Sequence, residues 1–173
     1  WSSDVCSSDL KNKVALFGMQ YMLGLQDNGV MACAKHFPGH GDVNVDSHLD
    51  LPIIRKSFQQ LDSTELFPFK RVFDAGISST MIGHLFIPAI DDRSNRPTSL
   101  SNKNIQGLLK STLNYQGLTI TDGIEMMGVK KFFPNGEASV QSIIAGNDMI
   151  CIPDDIPLVV EKIKAAIQNK QLN

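Results

Sequence analysis

Three short apolar runs in this chain each stop at a proline: residues 30–37 (VMACAKHF) before Pro38, residues 79–87 (STMIGHLFI) before Pro88, and residues 148–152 (DMICI) before Pro153. Proline has no amide hydrogen to give to a sheet, so each run ends where a strand would leave its ladder. A fourth run, residues 118–122 (LTITD), follows the turn signal Tyr115-Gln116-Gly117. Apolar runs of this length, without strict alternation, predict strands covered on both faces.

Helical periodicity fills the gaps between them. Over residues 14–25, Val14, Leu16, Phe17, Met19, Met22, Leu23 and Leu25 recur at helical spacing, and Asn28-Gly29 supplies a stop. Residues 63–75 read as a helix with Ser63 as N-cap, Leu66, Phe69, Val72 and Phe73 on one face, and Gly76 at the end. Ile105, Leu108, Leu109 and Leu113 define a helix over 101–113, and further helices are expected over 138–145 and over 159–167. Strand and helix alternate throughout, the pattern of a parallel α/β sheet with crossover helices.

Charge and composition narrow the function classes. Lys and Arg total 16 against 18 Asp and Glu, a net charge of -2, so no general field draws in nucleic acid or an anionic membrane. No stretch reaches the roughly 18 consecutive apolar residues of a membrane span. What remains is a soluble enzyme or small-ligand binder; oligomeric state is not legible. The cysteines Cys6, Cys33 and Cys151 include no C-x-x-C pair, so neither a disulfide framework nor a zinc ribbon is indicated, and they read as small buried hydrophobes. The first ten residues, WSSDVCSSDL, repeat Ser-Ser-Asp and resemble the translation of a sequencing adapter. Residues 1–10 are accordingly expected to be foreign, the domain to run over 11–173, and the natural protein to begin upstream, where any signal or lipid anchor would lie.

Polar chemistry collects at the strand ends, where α/β folds bind their ligands. Lys35 and His36 end the first run, His84 lies near the end of the second and Asp122 ends the third. A single such residue is as often a cap or a turn residue; the set is harder to explain that way. In residues 35–52 (KHFPGHGDVNVDSHLDLP) three arrangements compete. His36 and His40 have the spacing of a helical zinc pair, but Pro38-Gly39 between them breaks the helix that such a pair requires. Asp42, Asn44, Asp46 and Asp50 imitate a calcium loop, yet Ser47 stands where glycine is needed and Ile53 where a bidentate Glu belongs. The third arrangement is an Asp46/His48 dyad: i and i+2 share a side of an extended chain, so the carboxylate can orient an imidazole that moves protons near neutral pH. No metal or cofactor is expected.

The run Lys35-His36-Phe37-Pro38-Gly39-His40-Gly41-Asp42, with Asp46-Ser47-His48 and Leu51-Pro52, closely resembles the signature of glycoside hydrolase family 3, and more narrowly its β-N-acetylglucosaminidase branch. The resemblance continues through Glu65-Leu66-x-Pro68-Phe69, Met81-x-x-His84, Pro97-x-Ser99-Leu100-Ser101, Gly117-Leu118-x-x-x-Asp122 and Ala145-Gly146-x-Asp148. It implies the C-terminal half of a (β/α)8 barrel that removes terminal β-linked N-acetylglucosamine with retention of configuration. Asp122 matches the nucleophile, His48 the acid/base, Asp46 the carboxylate that supports it, and Lys35 and His36 residues that bind sugar hydroxyls. His84, at a strand end the family also uses, is grouped with these in a supporting role.

The same resemblance implies a carbohydrate partner, a place in muropeptide turnover, and no activity from this half-barrel alone. A neutral imidazole repels an anionic acceptor less than a carboxylate would, so phosphorolysis is the alternative outcome; a non-catalytic sugar-binding module is another. Gly39 and Gly41 suggest a loop able to carry His48 in and out. One departure stands out: Thr121-Asp122-Gly123 replaces the family's frequent Asp-Asp or Asp-Ala. Glu125, a spare carboxylate nearby, reads as a turn or helix-start residue.

Overall fold

The computed structural model describes residues 8–41, 43, 50–153 and 155–172. Four parallel strands, β1 (Cys33–Phe37), β2 (Ser79–Ile82), β3 (Leu118–Gly123) and β4 (Met149–Cys151), form one sheet in the order β1-β2-β3-β4. Ser79, Thr80, Met81 and Ile82 pair with Leu118, Thr119, Ile120 and Thr121 in unbroken register, whereas the β1–β2 and β3–β4 ladders each slip once. Each strand is followed by helix: α2 (Phe58–Ser63) and α3 (Leu66–Asp74), then a π-helix (Lys103–Thr112), then α4 (Met127–Lys130) and α5 (Glu137–Ala145), then α6 (Ile156–Gln168), with α1 (Ser8–Gln26) ahead of β1. Consecutive parallel neighbours joined by helical crossovers are the repeating unit of a (β/α)8 barrel, and four such strands are present. The α/β class and the half-barrel architecture read from the sequence are those of the structure.

The elements differ from the sequence expectations where local chemistry outweighs periodicity. The helix expected over 63–75 is two helices. Ser57 caps α2, accepting from the Gln60 amide while the Gln60 side chain accepts from the Ser57 amide, a capping box in which Ser63 is the last helical residue and not a cap. Pro68 stops one helix from running through: it has no amide for the Thr64 carbonyl, and its ring would strike that carbonyl. The helix over 101–113 keeps its expected buried face of Ile105, Leu108 and Leu109 but is wound as a π-helix. In its last turn, Ser111 and Thr112 donate their hydroxyls to the carbonyls of Gln106 and Gly107, five residues back. β2 leaves the ladder at Ile82, well before Pro88, because Thr98 donates its hydroxyl to the Gly83 carbonyl at 2.6 Å and accepts from the Leu85 amide, drawing the chain toward residues 97–100. α1 begins at Ser8, inside the segment set aside as foreign.

Within the described residues the strands read as covered on both faces are covered on one, as follows for four barrel strands that do not close on themselves. Along β3, Thr119, Thr121 and Gly123 are buried while Leu118 is exposed and Ile120 and Asp122 are half-buried. One face carries the helices; the other is open. The helix-side core joins Phe37 and Ile82 to Met22, Leu66, Phe69, Leu109 and Tyr115, with Phe37 packed edge-on to Phe69 and Phe73 stacked 4.4 Å from Tyr115. β1 and β4 are the edge strands of the described sheet, so Cys33 and Cys151 are not buried: Cys33 is exposed and Cys151 half-buried, while Cys6 lies outside the described residues. No described helix is long and apolar enough to cross a membrane.

Candidate functional site

Asp122 lies on the open face of β3, one residue short of the strand's last position. Its Oδ1 accepts from the Gly123 amide at 2.9 Å, a hydrogen bond to the charged carboxylate that fixes the group at the strand end. The other oxygen, Oδ2, stands 3.6 Å from Nε2 of His36, longer than a hydrogen bond and close enough for charge to act. Among the described residues, one oxygen of Asp122 is thus held by hydrogen bonding and the other is only approached.

His36 reaches Asp122 from two strands away. The peptides Lys35–His36 and Phe37–Pro38 are cis. Between the two strands lies Gly83, just past β2, and a Cβ there would stand 3.1 Å from the Cβ of His36. Gly83 thus leaves room beside the His36 side chain that a larger residue would take up. Burial lowers the pKa of His36, the negative charge of Asp122 opposes that, and Lys35 and His40 add to the lowering. The ring is therefore neutral at pH 7, and as a neutral imidazole it offers one N–H and one lone pair to a hydroxyl-bearing ligand. The His40 ring stands edge-on, 5.8 Å away. Lys35 is exposed on the adjoining edge. His36 and Asp122 therefore meet at one rim of the sheet, with the charge of Lys35 acting on His36 beside it.

Asp46 and His48 lie outside the described residues. His84 does not share the rim. It has no exposed surface, and its ring is held between the Ser99 hydroxyl, 2.6 Å from Nδ1, and the Gly123 carbonyl, 2.9 Å from Nε2. Its grouping with sugar-contacting residues is corrected: once β2 leaves the ladder at Ile82, the chain turns this side chain inward beneath the Asp122–Gly123 corner. Glu125 is exposed in the turn that follows. Sequence reasoning passed over Gly83 and Ser99, whose signal was their place inside Met81-x-x-His84 and Pro97-x-Ser99. It also left Glu65 without a role. That carboxylate is 4% exposed, paired with Lys56 and pressed against Gly39. Among the described residues no three His, Cys, Asp or Glu side chains gather where a metal could be held. A groove of about 490 Å³ between α5 and α6, lined by Glu137, Gln141 and Lys162 among others, lies away from Asp122.

Comparison with known proteins points in one direction. The model of the glycosyl hydrolase family 3 N terminal domain matches residues 4–173. A β-hexosaminidase of Nitrosomonas eutropha is 32% identical over 142 residues, covering 82% of this chain and 40% of that protein. Among solved structures, a glycoside hydrolase family 3 β-N-acetylglucosaminidase from Paenibacillus sp. str. FPU-7 superposes with a TM-score of 0.88 at 36% identity, over 92% of this chain and 31% of that one. A β-glucoside phosphorylase superposes with a TM-score of 0.83 at 25% identity, over 88% of this chain and 29% of that one. The chain thus spans about two fifths, or less, of the length of each of these relatives.

Proposed function

The chain belongs to glycosyl hydrolase family 3, and from that premise we propose that residues 11–173 supply the C-terminal part of the catalytic barrel of a retaining glycosidase that releases terminal β-linked N-acetylglucosamine, with muropeptides of cell-wall turnover as its substrates. The observation that carries this reading is the setting of Asp122: a carboxylate at a strand end on the open face, one oxygen held by the Gly123 amide and the other approached, among the described residues, by His36 at 3.6 Å.

In this reading Oδ2 of Asp122 attacks the anomeric carbon as the bond from that carbon to the aglycone oxygen breaks. The imidazolium of His48, steadied by Asp46, delivers its proton to the departing oxygen. A covalent glycosyl-aspartate results. Water, giving its proton back to His48, then displaces the carboxylate and releases the sugar with its configuration retained. Lys35 and neutral His36 hold hydroxyls of the sugar beside the nucleophile. General acid assistance of this kind contributes about 10²–10⁴ in rate.

The test uses the protein at the full length of its relatives, assayed on a nitrophenyl N-acetylglucosaminide. Turnover that disappears in Asp122→Ala supports the reading; unchanged turnover in that variant removes Asp122 as nucleophile. The likeness to a β-glucoside phosphorylase favours a second reading, in which phosphate replaces water in the second step. Release of a glycosyl phosphate when phosphate is present would establish it, and release of the free sugar alone would dismiss it.

A further inference from the structure

His84 and Ser99 are named positions of two motifs that carry the family resemblance and Asn147 lies inside a third, yet none of the steps above employs them. They form one buried chain of hydrogen bonds. The Asn147 side-chain amide donates to the Ser99 carbonyl at 2.8 Å and to the Ser142 carbonyl at 2.8 Å. The Ser99 hydroxyl meets Nδ1 of His84 at 2.6 Å, and Nε2 of His84 meets the Gly123 carbonyl at 2.9 Å. A carbonyl only accepts, so Nε2 carries the hydrogen, Nδ1 is the acceptor, and Ser99 is the donor. Burial keeps the His84 pKa below its ordinary value, against the opposing pull of Gly123 and Asp122, so the ring is neutral and this tautomer is the one present.

We propose that His84 is the positioning residue for Asp122: anchored by Ser99 and Asn147, it holds the Gly123 backbone so that the Asp122 carboxylate keeps the alignment it needs for attack. The proposal rests on the reading of Asp122 as nucleophile. Its central observation is that the Gly123 carbonyl already accepts from the Met126 amide at 3.1 Å. That acceptor would be satisfied without His84, so a buried imidazole aimed at it does more than prevent an orphaned polar group. Gly123 has no side chain to fix its own torsions, and its amide is the group that holds Oδ1 of Asp122. Two donors on its carbonyl, together with the bond from the Ile124 amide to the Cys151 carbonyl, set the backbone on the far side of that residue. Holding reacting groups in alignment is worth a large part of a rate, and a misplacement of about 1 Å can cost on the order of a hundredfold.

Three variants of the full-length protein, each compared with Asp122→Ala on the nitrophenyl substrate, decide the matter. His84→Leu fills the space without polar atoms; its kcat is expected to fall roughly tenfold to a hundredfold with KM within about threefold of the parent. His84→Gln keeps an N–H within reach of the Gly123 carbonyl and is expected to recover kcat to within about fivefold. A merely structural histidine would lower the thermal midpoint of both variants without this separation of kcat from KM and without rescue by Gln. Parent-like kcat in His84→Leu, or Gln no better than Leu, overturns the proposal. Should His84→Leu fail to fold, Ser99→Ala decides. It is expected to lower kcat about threefold to tenfold with KM kept, and parent-like kcat there overturns the proposal equally. Activity surviving in Asp122→Ala would instead overturn the reading of the nucleophile itself, whatever the other variants do.

Discussion

Gly39 faces Glu65 so closely that a Cβ added to the glycine would stand 2.6 Å from the Cβ of Glu65 and 2.9 Å from its Cγ. Gly39 also has a φ of 131°, a conformation that side chains of L-residues rarely adopt. Glu65 cannot retreat, because its side chain is buried and ion-paired with Lys56. Two motifs far apart in sequence are therefore locked together at the point where the chain leaves β1 and Pro38.

Gly39→Ala should consequently lower stability by about 2 kcal/mol or more, the sum of backbone strain and overpacking. Urea unfolding of the parent and variant measures this. A midpoint unchanged by the substitution would mean that the corner has room to relax.

Gly123→Ala should behave in the opposite way. A Cβ at Gly123 would come no nearer than 3.6 Å to Met126, ordinary contact, and the residue is not among the glycines at positive φ. The chain's departure from the family's frequent Asp-Asp or Asp-Ala is thus not demanded by space. The alanine should leave stability unchanged or raise it by about 0.5–1 kcal/mol. A loss of more than about 1 kcal/mol would count against this account of the corner.

Acid should weaken the fold below pH 6.5 through two histidines. Burial lowers the pKa of both His36 and His84 in the folded protein from the ordinary 6.5. The unfolded chain therefore binds more protons as the pH drops through that value, so their contribution to stability is intact above 6.5 and is lost below it. Thermal midpoints measured between about pH 7.5 and pH 5 should fall for the parent and fall less for His84→Gln, which removes one of the two groups. Equal slopes would rule out His84 as a source of the acid sensitivity.

Asp91 acts in a lower range. Burial pushes its pKa up, but hydrogen bonds from Arg93 and Ser101 prevail and hold it down to about 2. Its contribution is present above the ordinary carboxylate value of 3.8 and disappears as the pH falls toward 2. Asp91→Asn should cost about 1–3 kcal/mol at neutral pH, the worth of charged hydrogen bonds to a buried carboxylate, and little at pH 2. A variant as stable as the parent at pH 7 would show that the Arg93 pair is idle.

Much of this was legible in the sequence because proline and glycine mark the ends of strands and apolar spacing marks the buried sides of helices. Pro38 does close β1, and Ile105, Leu108 and Leu109 do face inward. α2 escaped because its signal is a capping box, Ser57 to Gln60, in a stretch with little apolar pattern. The π-helix escaped because its apolar residues recur much as they would in an α-helix, and what distinguishes it is hydrogen bonding five residues back. His84 was read as facing the rim because a run such as STMIGHLFI does not reveal where its strand stops. Its partner Ser99 is 15 residues away, joined to it only by the folded chain. Rim residues could be read one at a time; the buried contacts that hold them could not.

The alternation along β3 has a further consequence. Leu118, Ile120 and Asp122 share the open face only because they are separated by even steps, while Thr119 and Thr121 turn inward. Inserting or deleting one residue within this strand would exchange the two sets, sending a carboxylate into the helix-side core and a threonine hydroxyl to the rim. A change too small to alter the fold class would still remove the Asp122 carboxylate from the open face, where the proposed nucleophile has to stand. Single-residue length changes in β3 should therefore be far more damaging than the substitution of Ile120 by another β-branched residue.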